Sequence, residues 1–257
     1  MFKIIETRIK QGFHTPADPF QSMKLSDRFQ GLPLVNHQQC PSHCQRCVEV
    51  CPTQAIEKPQ QYLNWDLGKC LFCTECMDHC PEKAIQFSND VSLSSTVRSD
   101  LTLSQEHLKP QVKVLETKMR RIFGRSLKLR QVSAGGCNAC EQDINVLNTL
   151  VFDWARFGIQ LVASPRHADG LLITGAITQA MVVAIQKTYE AIPNPKWVIA
   201  IGACAISGGP YSNHPQVLNG IESLLKVDLY IPGCPPHPLT ILDGLLRWLG
   251  KMELLKK

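Results

Sequence analysis

Residues 70–81 read CLFCTECMDHCP, a run in which Cys70, Cys73, Cys76 and Cys80 are spaced by two, two and three residues and closed by Pro81. A tight loop of this kind presents three thiols together, while the fourth leaves the loop and is free to serve elsewhere. Residues 40–52, CPSHCQRCVEVCP, repeat the pattern with Cys40, Cys44, Cys47, Cys51 and Pro52. Both blocks continue as P-x-x-A-I and stand 29 residues apart, an internal duplication. Pro52 and Pro81 fix the backbone as it leaves each run. In a paired arrangement the fourth cysteine of each run ligates the other run's 4Fe-4S cluster. The expected sets are therefore Cys40, Cys44, Cys47 with Cys80, and Cys70, Cys73, Cys76 with Cys51.

The first run departs from the second in one respect. Three residues, not two, separate Cys40 from Cys44. The spacing leaves open a tolerated bulge, His43 as a substitute ligand, or a 3Fe-4S form. Zinc held by four cysteines also uses C-x-x-C pairs, but a zinc ribbon does not call for a third cysteine two residues on and a fourth three beyond that, before proline.

Twelve cysteines would suggest six disulfides in a secreted chain. The N-terminal MFKIIETRIKQG has no apolar run of secretory length, and reduced cytosolic thiols favour metal ligation. The most apolar window, 170–185, is broken by Thr174, Thr178 and Gln179 and falls short of the roughly 20 residues of a spanning helix. The expected location is cytoplasmic. A hydrophobic content of 44% and a charged content of 19% describe a folded chain. The net charge of +5 is dispersed, apart from 118–130, and few aromatics accompany it, so nucleic acid is not an expected partner.

Along the chain, residues 1–31 form an arm whose first eleven residues suit an amphipathic helix, with Phe2, Ile5 and Ile9 on one face. Residues 32–90 hold both cysteine runs, and 91–118, rich in Ser and Thr, reads as a linker. From 119 to 257 the texture changes. LKLRQV, IQLVAS, DGLLIT, KWVIAIG and VDLYIPG look like strands, and 141–152, 177–191, 216–225 and 238–249 like helices. The alternation implies a parallel sheet covered by helices. Cys137 and Cys140 follow the first of these strands, Cys204 a later one and Cys234 the last, so all four sit beyond strand C-terminal ends, where such sheets bind ligands. Glycines 135, 136, 202 and 233 flank them, as a bulky inorganic group requires. Buried, inert thiols fit this placement poorly, and a third four-cysteine site is expected.

Residues 30–90 resemble bacterial-type 2[4Fe-4S] ferredoxins. NHQQC and the approach NWDLGKCLFC are similar to the ferredoxin-type subunits of formate hydrogenlyase and complex I. Residues 119–250, with IFGRSLKLRQVSAGGCNACEQDI, resemble the small subunit of energy-converting, membrane-bound [NiFe] hydrogenases and its complex I homologue, the subunit carrying the terminal cluster. Complex I homologues have two adjacent cysteines where this chain has Cys137-x-x-Cys140, which favours the hydrogenase branch. Ala139 stands where the family usually has Gly.

The resemblance implies an α+β two-cluster ferredoxin domain followed by an α/β flavodoxin-like domain, with three 4Fe-4S clusters in all. It implies a non-catalytic subunit passing single electrons to the NiFe site of a hydrogenase-type large subunit, the chain lying on the inner face of the cytoplasmic membrane through membrane-arm subunits. Formate dehydrogenase, carbon monoxide dehydrogenase or ferredoxin are the expected donors. A complex I-like quinone-reducing module without nickel is the alternative. Glu141 and Asp143 occupy the family's acidic stretch, either passing protons or serving as helix N-terminal acids.

Overall fold

The computed structural model describes residues 2–12, 15–59, 62–105, 107–123 and 126–252. Gly124 and Arg125 of the IFGRSLKLRQV motif, Met1 of the arm and residues 253–257 lie outside them. The first half contains α1 (Phe2–Gln11), α2 (Pro19–Ser22), β1 (Pro33–Val35), α3 (Arg46–Glu49), β2 (Ile56–Glu57), β3 (Asn64–Asp66), α4 (Glu75–Asp78), β4 (Ile85–Phe87), β5 (Thr102–Leu103) and α5 (Thr117–Phe123). The second contains β6 (Leu127–Ser133), α6 (Ala139–Val146), β7 (Ile159–Leu161), β8 (Gly170–Thr174), α7 (Gln179–Ala191), β9 (Trp197–Ile201), α8 (Ala203–Ser207), β10 (Leu229–Ile231) and α9 (Pro238–Trp248).

The duplication in the sequence is a duplication of backbone. One-turn helices α3 and α4 begin 29 residues apart, and the matched residues Gln54 and Lys83 both take a φ of +50°. β1 pairs antiparallel with β4, while β3 pairs antiparallel with both β2 and β5.

Strands β6 to β10 form one parallel sheet in the order β10-β9-β8-β6-β7. All five expected strands are present. Central β8 is buried along its whole length, whereas β6 begins by alternating buried Leu127 and Leu129 with exposed Lys128. One sheet face, through Leu172, Ile199, Ile201 and Ile231, packs on α6 and α9. The other, through Leu171, Ile173, Val198 and Ala200, shares a core with α7, α8 and the first half, including Trp65, Leu67 and Leu101. Each fully buried Leu or Ile contributes about 1.5–3 kcal/mol, so the two halves are held by one continuous apolar seam.

Three expectations change. The helix expected over 141–152 starts at Ala139 and ends at Val146. The stretch 216–225 forms only a 3-10 turn at Ile221–Ser223. Gly220 there has a φ of +98°, and a Cβ on it would lie 2.2 Å from the Ile206 carbonyl oxygen, a close approach that stops a helix from forming. Within the expected linker, 91–118, Leu103 pairs with Trp65, and Ser95 exchanges backbone hydrogen bonds with Tyr230 at 3.0 and 2.8 Å. Leu93 and Leu101 are buried. This part of the stretch is a packed seam, and Ser95 Oγ donates to the Gln111 carbonyl at 2.9 Å.

Candidate functional site

Cys70 and Cys73 lie on the loop entering α4 and Cys76 within that helix, and on the loop Phe72 and Thr74 adopt left-handed φ values of +54° and +68°. Burial pushes the Cys70 thiol up to about 12, and the thiols of Cys51 and Cys73 add to the shift. Burial likewise raises Cys76, reinforced by Cys70, Cys73 and Cys51. Burial pushes Cys47 up to about 11, and its thiol neighbours are Cys40, Cys44 and Cys80. The structure thus brings Cys51 to the second run and Cys80 to the first. Backbone N–H groups point at these sulfurs: Ala55 at Cys51 (3.2 Å), Phe72 at Cys70 (3.3 Å) and Ala84 at Cys80 (3.3 Å). His43 is exposed.

The remaining four cysteines meet beyond the C-terminal ends of β6, β9 and β10. Burial raises Cys140, followed by the charge of Glu141 and the thiols of Cys204, Cys234 and Cys137. Burial pushes Cys204 up to about 11, with Cys234 and Cys137 adding to it. Gly202, at φ +87°, is required here, because a Cβ on it would lie 2.7 Å from Cys140 Sγ. The left-handed position of the Cys137–Cys140 loop is Asn138 (φ +70°), a residue suited to that region, while Ala139 already belongs to α6. The departure at Ala139 therefore demands no unusual backbone.

Glu141 is buried and accepts a hydrogen bond from Thr174 Oγ1 at 2.6 Å. Asp143 is half-buried, and burial raises its carboxyl above the ordinary range. It lines a cavity with Phe29, Phe72, Cys234 and His237. Across that region Cys234 is raised by burial, then by Cys137 and by Cys73 of the other tetrad, so the second tetrad comes near enough to act on the sheet's tetrad.

The residues present fit an iron–sulfur cluster. Cys51, Cys70, Cys73 and Cys76 line one cavity together with apolar Ile56 and Phe87. Trp65 lines it too, its ring 2% exposed and its Nε1 without a partner at bonding distance, yet near enough to Cys70 to pull that thiol down against burial. A buried orphan donor beside four thiols suits sulfide or thiolate acceptors. Among the described residues, no three His, Cys, Asp or Glu side chains stand close enough to hold a single metal ion. Trp65 lies within the NWDLGKCLFC approach, but its turn toward the cavity depends on β3 packing, which spacing alone does not reveal.

Comparison with known proteins agrees with this layout. The family described as NADH ubiquinone oxidoreductase, 20 Kd subunit, matches residues 137–248, and a 4Fe-4S dicluster domain matches 39–85. The B subunit of NADH-quinone oxidoreductase from Heliobacterium modesticaldum is 38% identical over 157 residues, covering 59% of this chain and 89% of the relative. The protein named "Probable membrane-bound hydrogenase subunit mbhJ" of Pyrococcus furiosus is 40% identical, covering 53% of this chain and 82% of the relative. Formate hydrogenlyase subunit 7 of Escherichia coli is 45% identical, covering 50% of this chain and 51% of the relative, so the match spans about half of that subunit. With four cysteines gathered beyond the C-terminal ends of the sheet's strands and a relative matched along 89% of its length, this chain belongs to the family of the 20 kDa NADH:ubiquinone oxidoreductase subunit, preceded in the same polypeptide by a 4Fe-4S dicluster domain.

Proposed function

We propose that this chain is a one-electron conductor, the iron–sulfur subunit of a membrane-associated [NiFe] hydrogenase complex. Its three sites are Cys40, Cys44, Cys47 and Cys80; Cys51, Cys70, Cys73 and Cys76; and Cys137, Cys140, Cys204 and Cys234. The observation that carries the reading is that Cys73 of the second tetrad lies near enough to Cys234 of the sheet's tetrad to raise its thiol, which supports electron passage between those two sites. When bound, a 4Fe-4S cluster supplies a centre that takes up and releases single electrons.

The polypeptide's part is to hold and insulate. Leu71 and Phe72 line one cavity with Gly233, Cys234, Pro235 and Pro236, and the shared core keeps the units in one relation. The units proposed are the arm to residue 31, the dicluster domain 32–90, the seam 91–118 and the domain 119–257. In that last domain the strand order, counted along the chain, is 2-1-3-4-5, which supports a flavodoxin-like sheet. Cys137 and Cys234 are exposed, supporting a large partner subunit at that face. Asp143, whose carboxyl burial raises above its ordinary range and which lines the cavity beside Cys234, is the residue proposed for proton transfer there. Glu141, locked to Thr174, is suited to shaping the loop. Among the described residues no helix is long and apolar enough to cross a membrane, so attachment is assigned to membrane subunits of the complex. Donors of the formate dehydrogenase, carbon monoxide dehydrogenase or ferredoxin class would meet the first tetrad.

A quinone-reducing, complex I-like module is the second reading, favoured by the 38% identity along 89% of the Heliobacterium relative. The two-residue separation of Cys137 and Cys140 favours the hydrogenase. Metal analysis of the anaerobically purified complex decides: nickel in the co-purifying large subunit, with about four irons per tetrad here, supports the hydrogenase, and iron without nickel transfers the chain to the quinone-reducing class.

A further inference from the structure

The enlarged opening loop of the first cysteine run has a dedicated fastening. The Cys44 N–H donates to the Pro41 carbonyl at 3.1 Å, folding the extra residue into a turn. Lys58 Nζ donates to both ends of that turn, the carbonyls of Pro41 at 2.6 Å and Cys44 at 3.0 Å, and lies 3.3 Å from Cys40 Sγ. In the second repeat the position 29 residues on is Phe87, and the second run has the shorter spacer. The extra loop residue and the lysine thus occur together in one repeat and are both missing from the other. His43 is exposed, while Cys40 is already gripped by the lysine.

We propose that Lys58 is a positioning residue for the first tetrad: it clamps the enlarged turn so that Cys40 faces Cys44, Cys47 and Cys80, and its charge favours the reduced state of a cluster held there. This rests on the three-cluster reading. A cation donating to a thiolate makes a charge-assisted hydrogen bond, and such bonds and local charges set cluster potentials. The reduced state carries one more electron and so one more negative charge, which a neighbouring ammonium stabilises. Because Lys58 is only partly buried, solvent screens the effect. The expected size is about tenfold in the reduction equilibrium, about 59 mV for one electron.

The test is iron counting with a potentiometric titration, followed by EPR, on the anaerobically purified full-length chain. Mediators and a chemical reductant supply the electrons, and the first tetrad's signal is identified by its loss when Cys40, Cys44, Cys47 and Cys80 are replaced by Ser. Lys58→Arg is expected to retain iron and potentials. Lys58→Gln, which keeps a donor without the charge, is expected to retain iron while the first tetrad's midpoint alone falls by about the tenfold equivalent. Lys58→Ala is expected to lose iron from that tetrad. Full iron and unchanged midpoints in both Lys58→Gln and Lys58→Ala overturn the proposal, as does an equal shift of all three midpoints. A parent chain with only two clusters, the first tetrad's among them, overturns the three-cluster reading but leaves the Lys58 comparison intact.

Discussion

Arg98 grips Asp66 with both arms of its guanidinium, Nη1 donating to Oδ1 at 2.9 Å and Nη2 to Oδ2 at 2.7 Å. Asp66 Oδ1 also accepts the Gly68 N–H at 2.8 Å, and the Gly68 carbonyl accepts Ser207 Oγ at 2.9 Å. One carboxylate, with the Gly68 backbone it holds, therefore joins the dicluster strand β3, the seam carrying Arg98 and α8, the helix that carries Cys204. Both side chains are mostly buried, at 24% and 16% exposure, so the pair is little screened.

Arg98→Met leaves that carboxylate without its cation. The expected loss is about 2 kcal/mol, the scale of hydrogen bonds to charged groups, or about 4–8 °C in thermal midpoint for a chain of this size. Circular dichroism melts of the intact chain measure it, and an unchanged midpoint would remove the pair from the forces joining the halves.

The crossing of Cys51 and Cys80 yields a count of irons. Replacing Cys40, Cys44, Cys47 and Cys80 by Ser empties one proposed site and should leave about eight irons, at four per cube. Replacing Cys40, Cys44, Cys47 and Cys51 damages two sites and should leave about four with intact ligand sets. Equal iron in the two variants would contradict the crossing.

Trp65→Phe keeps the ring against Phe87, whose centroid lies 5.8 Å away, but deletes the orphan N–H. A hydrogen bond of about 1 kcal/mol to the reduced site corresponds to somewhat less than the tenfold step of about 59 mV for one electron. The midpoint of the Cys51, Cys70, Cys73 and Cys76 site should fall by that order, with iron content unchanged. A midpoint that stays put would mean the indole points past the sulfurs.

Asp143 carries a pH signature. Burial raises its folded-state pKa above the ordinary 3.8, so the folded chain binds its proton more tightly than the unfolded one. That contribution is fully present below about pH 4 and is lost as pH rises through the folded value. Asp143→Asn, permanently neutral, should match the parent near pH 4 and exceed it in thermal midpoint at pH 7. Parallel midpoints across the whole range would show that the site does not desolvate the carboxylate.

Much of this architecture is legible in local composition. Apolar runs such as Gly170–Thr174 and Trp197–Ile201 announce strands because a central parallel strand must be apolar on both faces, and turn residues bound them. The cysteine spacings announce the loops around Phe72 and Asn138, since only a tight loop can aim several thiols one way. Harder to read is 216–225, where apolar residues at helical spacing suggest a helix but Gly220 must meet the Ile206 carbonyl. The seam at 91–103 is equally hidden, because two-residue β5 carries no periodicity and its partner Trp65 lies far back in the chain.

Sequence by itself determined the three groups of four cysteines, the duplicated dicluster block and the parallel α/β domain, because thiol spacing and apolar periodicity are local properties of the chain. Tertiary structure alone decided what depends on distance between remote residues: that Cys73 acts on Cys234, that Trp65 lines the thiol cavity with an N–H that has no partner at bonding distance, and that Lys58 reaches back to Cys40. The physical reason is that charge coupling and hydrogen bonding act over a few ångströms of space, and only the packing of the dicluster unit and its seam on one face of the sheet brings those residues within that range.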